Sequence, residues 1–315
     1  MALRRREFLA ALLSRACAGF DTAHPRLQGV FPIMQTPFTD GGKLDVEALA
    51  REVEFLNRIR IPGMVWPQLA SEYATLKPEE RFAGAEAIVA AGKSKSAAIV
   101  LGVQGPDVQS AVKYAKHAEK LRPDAIIAIP LNTSDKREQV AYYRSIAENC
   151  SRPLFVQSIG DMSVELIYEM ANAIPTLRYV KDEAGHTLSR LTEYKRRGAP
   201  IQGVFSGAHG RTMLDEMARG SAGTMPAAGF ADLYQNVWDL WHTGKRKEAT
   251  DLFSKTLLLV EQVSAYGISS LKYVLELRGV FRNSLCRSEK QDFLDTEARR
   301  SIRETFEYVQ PLLRS

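Results

Sequence analysis

The stretch LRYVKDEAG, Leu177 to Gly185, places one lysine at the end of a short apolar run. An amine held there among aromatic and apolar walls is partly desolvated, which lowers its pKa and raises the fraction of free nucleophile. Such an amine condenses with a ketone to an iminium, an electron sink for carbon–carbon cleavage, condensation or dehydration. Side chains alternate along a strand, so Tyr179, Lys181 and Glu183 share one face if the strand continues that far. The same pattern also suits a solvated charge at a strand end, which is the commoner use of a lysine.

Other chemistries find less support. The five histidines are scattered, with no HxH or HExxH pair, so no metal site is expected. The three cysteines, Cys17, Cys150 and Cys286, lack metal-like spacing, and their odd number argues against a disulfide framework. A net charge of +5 draws three of its positive charges from Arg4, Arg5 and Arg6, and no basic stripe with interleaved aromatics follows. Nucleic acid is therefore not an expected partner. No cofactor is expected either.

Positioning the lysine requires a frame, and the chain alternates from Gly29 onward. Short apolar or β-branched runs are each followed by a stretch of helical periodicity. The runs are 29–35, 63–67, 97–102, 125–130, 153–158, 177–181, 201–206 and 221–226. Pro78 with Glu79 and Glu80 marks one helix start, and Asp107 and Ser163 are N-cap candidates. Eight such units predict an α/β fold, a parallel sheet closed into a (β/α)8 TIM barrel. An open doubly wound sheet competes less well, because Gln35-Thr36-Pro37-Phe38 stands where a GxGxxG turn would be needed. From about Tyr234 the strand signal ends and a helical remainder follows. The expected division is a signal-like segment over 1–27, a barrel over 28–235 and a C-terminal helical domain over 236–315.

The first residues, MALRRREFLAALLSRACAG, have a basic start, a brief apolar run and small residues at Ala16 and Ala18. Arg5-Arg6-Glu7-Phe8-Leu9 looks like a twin-arginine export signal, which predicts a periplasmic or exported protein; a basic amphipathic helix on a cytoplasmic protein is the alternative. No other segment approaches the ~20 apolar residues of a membrane span, so no membrane association is expected of the mature form.

The order and spacing of several motifs resemble the dihydrodipicolinate synthase / N-acetylneuraminate lyase family of class I aldolases, from about Gly29 to beyond Arg282. The motifs are Thr36-Pro37-Phe38, Ser71-Glu72-Tyr73-Ala74-Thr75-Leu76, Val180-Lys181-Asp182 with Gly185, Ser206-Gly207, and Gly220 followed by Gly223-Thr224-Met225-Pro226. The resemblance implies a barrel with a C-terminal helical domain, a homo-oligomer (tetramer or dimer), and a Lys181 imine with a small-molecule 2-oxo acid. It also implies substrate contacts at Thr36, Ser71, Gln157, Ser206 and Gly207.

Two departures stand out. Gln68-Leu69-Ala70 occupies the place of the family's carboxylate-holding Gly-Thr-Thr turn, leaving backbone N–H groups and Ser71 for that task. Gln157-Ser158-Ile159-Gly160 replaces Tyr-Asn-x-Pro, whose tyrosine relays protons, and an amide has no proton that titrates in the useful range. Met162 and Leu131-Asn132 stand near the positions of the synthase branch's arginine and tyrosine pair. True dihydrodipicolinate synthase activity is therefore not expected. Glu72, Tyr73 and Glu183 are the candidate replacements for the tyrosine. The leading reading is a Schiff-base lyase, aldolase or dehydratase for a 2-oxo acid or 2-oxo-3-deoxy sugar acid. The rival is a barrel that has lost catalysis and serves as a small-molecule-binding protein.

Overall fold

A computed structural model of the chain describes residues 26–288 and 294–314. The export signal expected in the first residues lies outside the described residues.

Eight parallel strands run β1 Gly29–Val30, β2 Gly63–Trp66, β3 Ala98–Gly102, β4 Ala125–Ala128, β5 Leu154–Ser158, β6 Leu177–Asp182, β7 Gly203–Ser206 and β8 Gly223–Thr224. Their order is β1-β8-β7-β6-β5-β4-β3-β2. The first strand is shorter than the apolar run predicts because Pro32 has no N–H to give to a ladder. The ladder resumes at once: Ile33 bridges Val65 on one side and Ala227 on the other, which closes the barrel between β1 and β2. Gly223 permits tight closure at the other neighbour, since a Cβ there would lie 2.0 Å from the Gly29 carbonyl oxygen.

Each strand is followed by a helix: α1 Val46–Arg58, α2 Pro78–Gly92, α3 Val108–Leu121, α4 Lys136–Ala147, α5 Val164–Ala173, α6 Thr187–Arg197, α7 Met213–Ala218 and α8 Ala231–His242. Asp107 caps α3 through the Ser110 N–H, and Ser163 caps α5 through the Leu166 N–H. The last helix, α8, packs on β1 and carries the barrel layer past residue 235. Beyond it, α9 Arg246–Tyr266, α10 Ile268–Leu277 and α11 Thr296–Val309 pack on one another.

Alternate residues of the strands fill the barrel. Phe31, Val65, Ile127, Phe155, Tyr179 and Phe205 form one buried interior cluster. Phe155 stacks on Tyr179 with ring centroids 4.7 Å apart. Two residues along from Phe155 and Tyr179, toward the C-terminal ends of the strands, come Gln157 and Lys181, paired in register. The apolar floor and the strand alternation thus place an amide and an amine together at the mouth.

Candidate active site

Lys181 is buried, and it is not left in an apolar sleeve. Its Nζ lies 2.9 Å from Glu183 Oε2. The next residue, Asp182, points outward, where Arg190 grips it with Nε–Oδ2 at 2.9 Å and Nη2–Oδ1 at 2.8 Å and the Ser158 hydroxyl also donates to it. That anchor fixes the ends of β5 and β6, so Lys181 has little backbone freedom.

Glu183 is the junction of the site. Its Oε2 accepts from Lys181 Nζ and from Gln157 Nε2, and its Oε1 accepts from the Ala208 N–H at 3.0 Å. Burial pushes its carboxyl up, but the Lys181 charge and these hydrogen bonds outweigh burial and hold it below the ordinary carboxylate range. A carboxylate cannot donate, so Gln157 must turn its NH₂ toward Glu183; its Oε1 is then buried without a partner. Gly207 makes room for this carboxylate, because a Cβ there would fall 1.9 Å from Glu183 Oε1.

The amine and the carboxylate open into a cleft of about 180 Å³ whose walls include Ile33, Leu69, Ala70, His209, Met225 and Pro226. One wall is apolar; the other carries Lys181, Glu183 and His209. Among the described residues no cluster of His, Cys, Asp and Glu suits a metal ion.

Several expected site residues lie elsewhere. Glu72, a candidate acid or base, faces the junction with the C-terminal helices. Its Oε2 pairs with Lys272 of α10, and its Oε1 accepts from the Arg287 and Ser288 N–H groups at 2.8 and 3.1 Å. Both charges of that pair are inaccessible to solvent, so Glu72 ties two parts of the fold together. Tyr73 sits half-buried beside Arg81 and Tyr142 and does not line the cleft. The expected substrate hydroxyls are engaged locally. Thr36 donates to the Ser71 carbonyl and accepts from Trp66 Nε1 at 3.0 Å, while Ser71 donates to the Met34 carbonyl and accepts from the Gln68 N–H at 3.0 Å. Ser206 points out of the barrel to Glu216 and Thr224. Trp66 is core, pressed on Gly84.

His209, one of the scattered histidines, lines the cleft, and burial together with Arg211 and Lys181 pushes its imidazole below the usual 6.5 against a smaller opposing effect of Glu183. Position after the seventh strand was the one signal available; the turn that aims it inward was not.

A closed (β/α)8 barrel with a buried lysine at the C-terminal ends of its strands is the frame of a lysine-dependent barrel enzyme. The chain belongs to the dihydrodipicolinate synthetase family, whose sequence pattern matches residues 26–307. It is 24% identical over 269 residues to an L-2-keto-3-deoxyarabonate dehydratase of Azospirillum brasilense, covering 81% of this chain and 86% of that one. It is 25% identical over 281 residues to a probable 2-dehydro-3-deoxy-D-pentonate aldolase of Escherichia coli, covering 83% and 90%. The match to a 4-hydroxy-tetrahydrodipicolinate synthase of Rhizobium meliloti, 29% over 175 residues, covers 53% of this chain and 59% of that enzyme. Among solved structures, a dihydrodipicolinate synthase from Rhodopseudomonas palustris superposes with a TM-score of 0.82 at 24% identity, covering 90% of this chain and 98% of that one. That likeness supports the fold alone.

Proposed function

We propose that the chain is a Schiff-base lyase for a 2-oxo acid of the 2-oxo-3-deoxy sugar-acid kind, with Lys181 as nucleophile and Glu183 as its proton relay. One observation carries this reading: a buried amine, a carboxylate 2.9 Å away and an orienting amide meet at the mouth of the barrel. The dehydratase and aldolase named above, both directed at 3-deoxy sugar acids, support the substrate class.

The relay works through the hydrogen bond already in place. Glu183 takes a proton from the Lys181 ammonium, and the free amine adds to the substrate carbonyl. A proton passes from the nitrogen of the adduct to its alkoxide oxygen to give the carbinolamine, and the Glu183 carboxyl then returns its own proton to that hydroxyl, so that water leaves and the iminium forms. Gln157 holds the carboxylate at the amine throughout. The substrate carboxylate meets Leu69 and Ala70, whose N–H groups open a 3-10 turn and have no partner within it. Among the described residues no arginine lines the cleft, and Met162 is buried, which argues against a second dicarboxylic substrate and against true dihydrodipicolinate synthase activity.

Gln157 in place of a tyrosine favours the second reading, a binding protein without catalysis. Borohydride trapping with pyruvate, 2-oxobutanoate and 2-oxo-3-deoxy sugar acids, followed by intact and peptide mass, decides between them. An adduct on Lys181 that disappears in Lys181→Arg supports the lyase. Saturable binding with no adduct supports the binding protein. We further propose twin-arginine export, tested by N-terminal sequencing from a periplasmic fraction, and a homo-oligomer, tested by light scattering.

A further inference from the structure

We propose that His209 is the acid–base group for the carbon side of the imine, distinct from Glu183, which serves the nitrogen side. This rests on the Lys181 imine proposed above. The tyrosine expected from the family does both jobs; here two residues on neighbouring strand ends share them.

Glu183 is poorly placed for carbon chemistry. Lys181 and Gln157 occupy one of its oxygens and the Ala208 N–H the other, so neither oxygen is open toward a substrate carbon. His209 is free. Among the described residues no hydrogen bond to its ring nitrogens is present, and the ring lines the cleft with Lys181 and Glu183. Burial keeps the imidazole below its usual 6.5, Arg211 and Lys181 act in the same direction, and Glu183 opposes them. At neutral pH the ring therefore carries a lone pair.

The backbone holds the ring in place. Ala208 and His209 adopt left-handed φ of 48° and 58°, an unfavourable conformation for two consecutive residues that are not glycine. The Tyr234 hydroxyl donates to the His209 carbonyl, and the preceding Ala208 N–H is the one bound to Glu183. One turn thus aims the imidazole and holds the relay carboxylate.

In the iminium, His209 removes a proton from C3. The C–H electron pair becomes the C2=C3 bond and the C=N pair moves onto Nζ, which loses its charge. In the cleavage direction His209 takes the C4 hydroxyl proton, the C3–C4 pair forms the same enamine, and an aldehyde leaves. The imidazolium then returns its proton to C3 and restores the iminium.

The test uses pyruvate and 2-oxobutanoate in D₂O with the full chain, reading C3 deuterium by NMR and the Lys181 adduct by borohydride trapping. His209→Asn suits the left-handed turn, which asparagine tolerates, and removes the titrating nitrogen. Trapping should stay within about twofold of wild type while exchange falls about 10²-fold. Undiminished exchange in the variant would overturn the assignment. Parallel loss of trapping and exchange in His209→Asn would make His209 a structural residue and also overturn it. If the wild-type chain traps neither acid, the imine reading itself falls, and this assignment falls with it.

Discussion

Gly207→Ala tests the relay by geometry alone, without changing any ionisable group. The new Cβ would stand 1.9 Å from Glu183 Oε1, 2.3 Å from its Cδ and 2.5 Å from its Cγ. Real Cβ contacts do not fall below 3.0 Å, so the carboxylate must retreat by about 1.1 Å. The Glu183 backbone cannot follow, because its N–H is held by the Ser158 carbonyl at 3.1 Å. The side chain must therefore swing, giving up the Ala208 N–H and stretching the 2.9 Å contact with Lys181 to about 4 Å. A displacement of about 1 Å at reacting groups costs on the order of 10²-fold in rate. Imine formation with pyruvate, followed by quenched borohydride trapping, should slow by that factor. The melting temperature should fall by only a few degrees, because one partly exposed carboxylate loses its partners. Trapping at the wild-type rate would show that Glu183 does not relay protons. Faster trapping would show that its carboxylate restrains the amine by keeping it charged, which equally refutes the relay.

Glu183→Gln keeps the volume and the hydrogen-bonding reach but removes the proton acceptor, so the trapping rate should fall by about 10²–10⁴-fold; a drop of less than tenfold counts against the relay. Lys272→Met leaves Glu72 buried with no counter-ion and should cost about 3–5 kcal/mol in urea unfolding, whereas a change under about 1 kcal/mol would mean the pair contributes little. Glu80, gripped by Arg287, has its carboxyl held down at about 2, from an ordinary 4.5. Because its folded pKa is depressed, its stabilisation is complete above about pH 4.5 and is lost as pH falls toward 2. Glu80→Gln should flatten the stability curve in that window and leave its slope above pH 5 unchanged; an unaltered acid limb contradicts the assignment. The deuterium exchange assigned to His209 should persist below pH 6.5 and then fall as the imidazole protonates; a loss that begins above pH 6.5 would point to another group.

The elements were legible in the sequence where their cause is local. Helix α1 falls in the helical stretch that follows the first strand candidate, and Asp107 and Ser163 cap as their side chains predict, because a cap reaches only three residues along the chain. Strand alternation likewise put Lys181 and Glu183 on one face. What failed to show was every role set by a distant partner. Thr36 and Ser71 looked like ligand hydroxyls, yet they bond to loop backbone 35 and 37 residues away. Glu72 looked like a catalytic acid, yet its partner, Lys272, lies 200 residues on. A hydroxyl or carboxylate in a motif says what it can bind; only the closed barrel says which group reaches it first.

The missing tyrosine takes on a different meaning in this geometry. Gln157 reads as a loss when taken alone, because an amide neither gives nor takes a proton. In register beside Lys181 it has a definite task, since its NH₂ must face Glu183 and so fixes the carboxylate at the amine. A glutamine at this position is useful only if the acid stands two residues past the lysine, and the acid fits only if residue 207 has no side chain. On the proposed relay, Gln157 and Glu183 therefore act together in place of the tyrosine, and Gly207, a glycine shared with the family motif, leaves the room they need. Restoring tyrosine at 157 while Glu183 remains should leave the relay without its amide anchor, so that Gln157→Tyr alone lowers the trapping rate and the gain, if any, comes only when Glu183 is replaced as well. A single Gln157→Tyr change that raises the rate would mean that Gln157 and Glu183 do not act together.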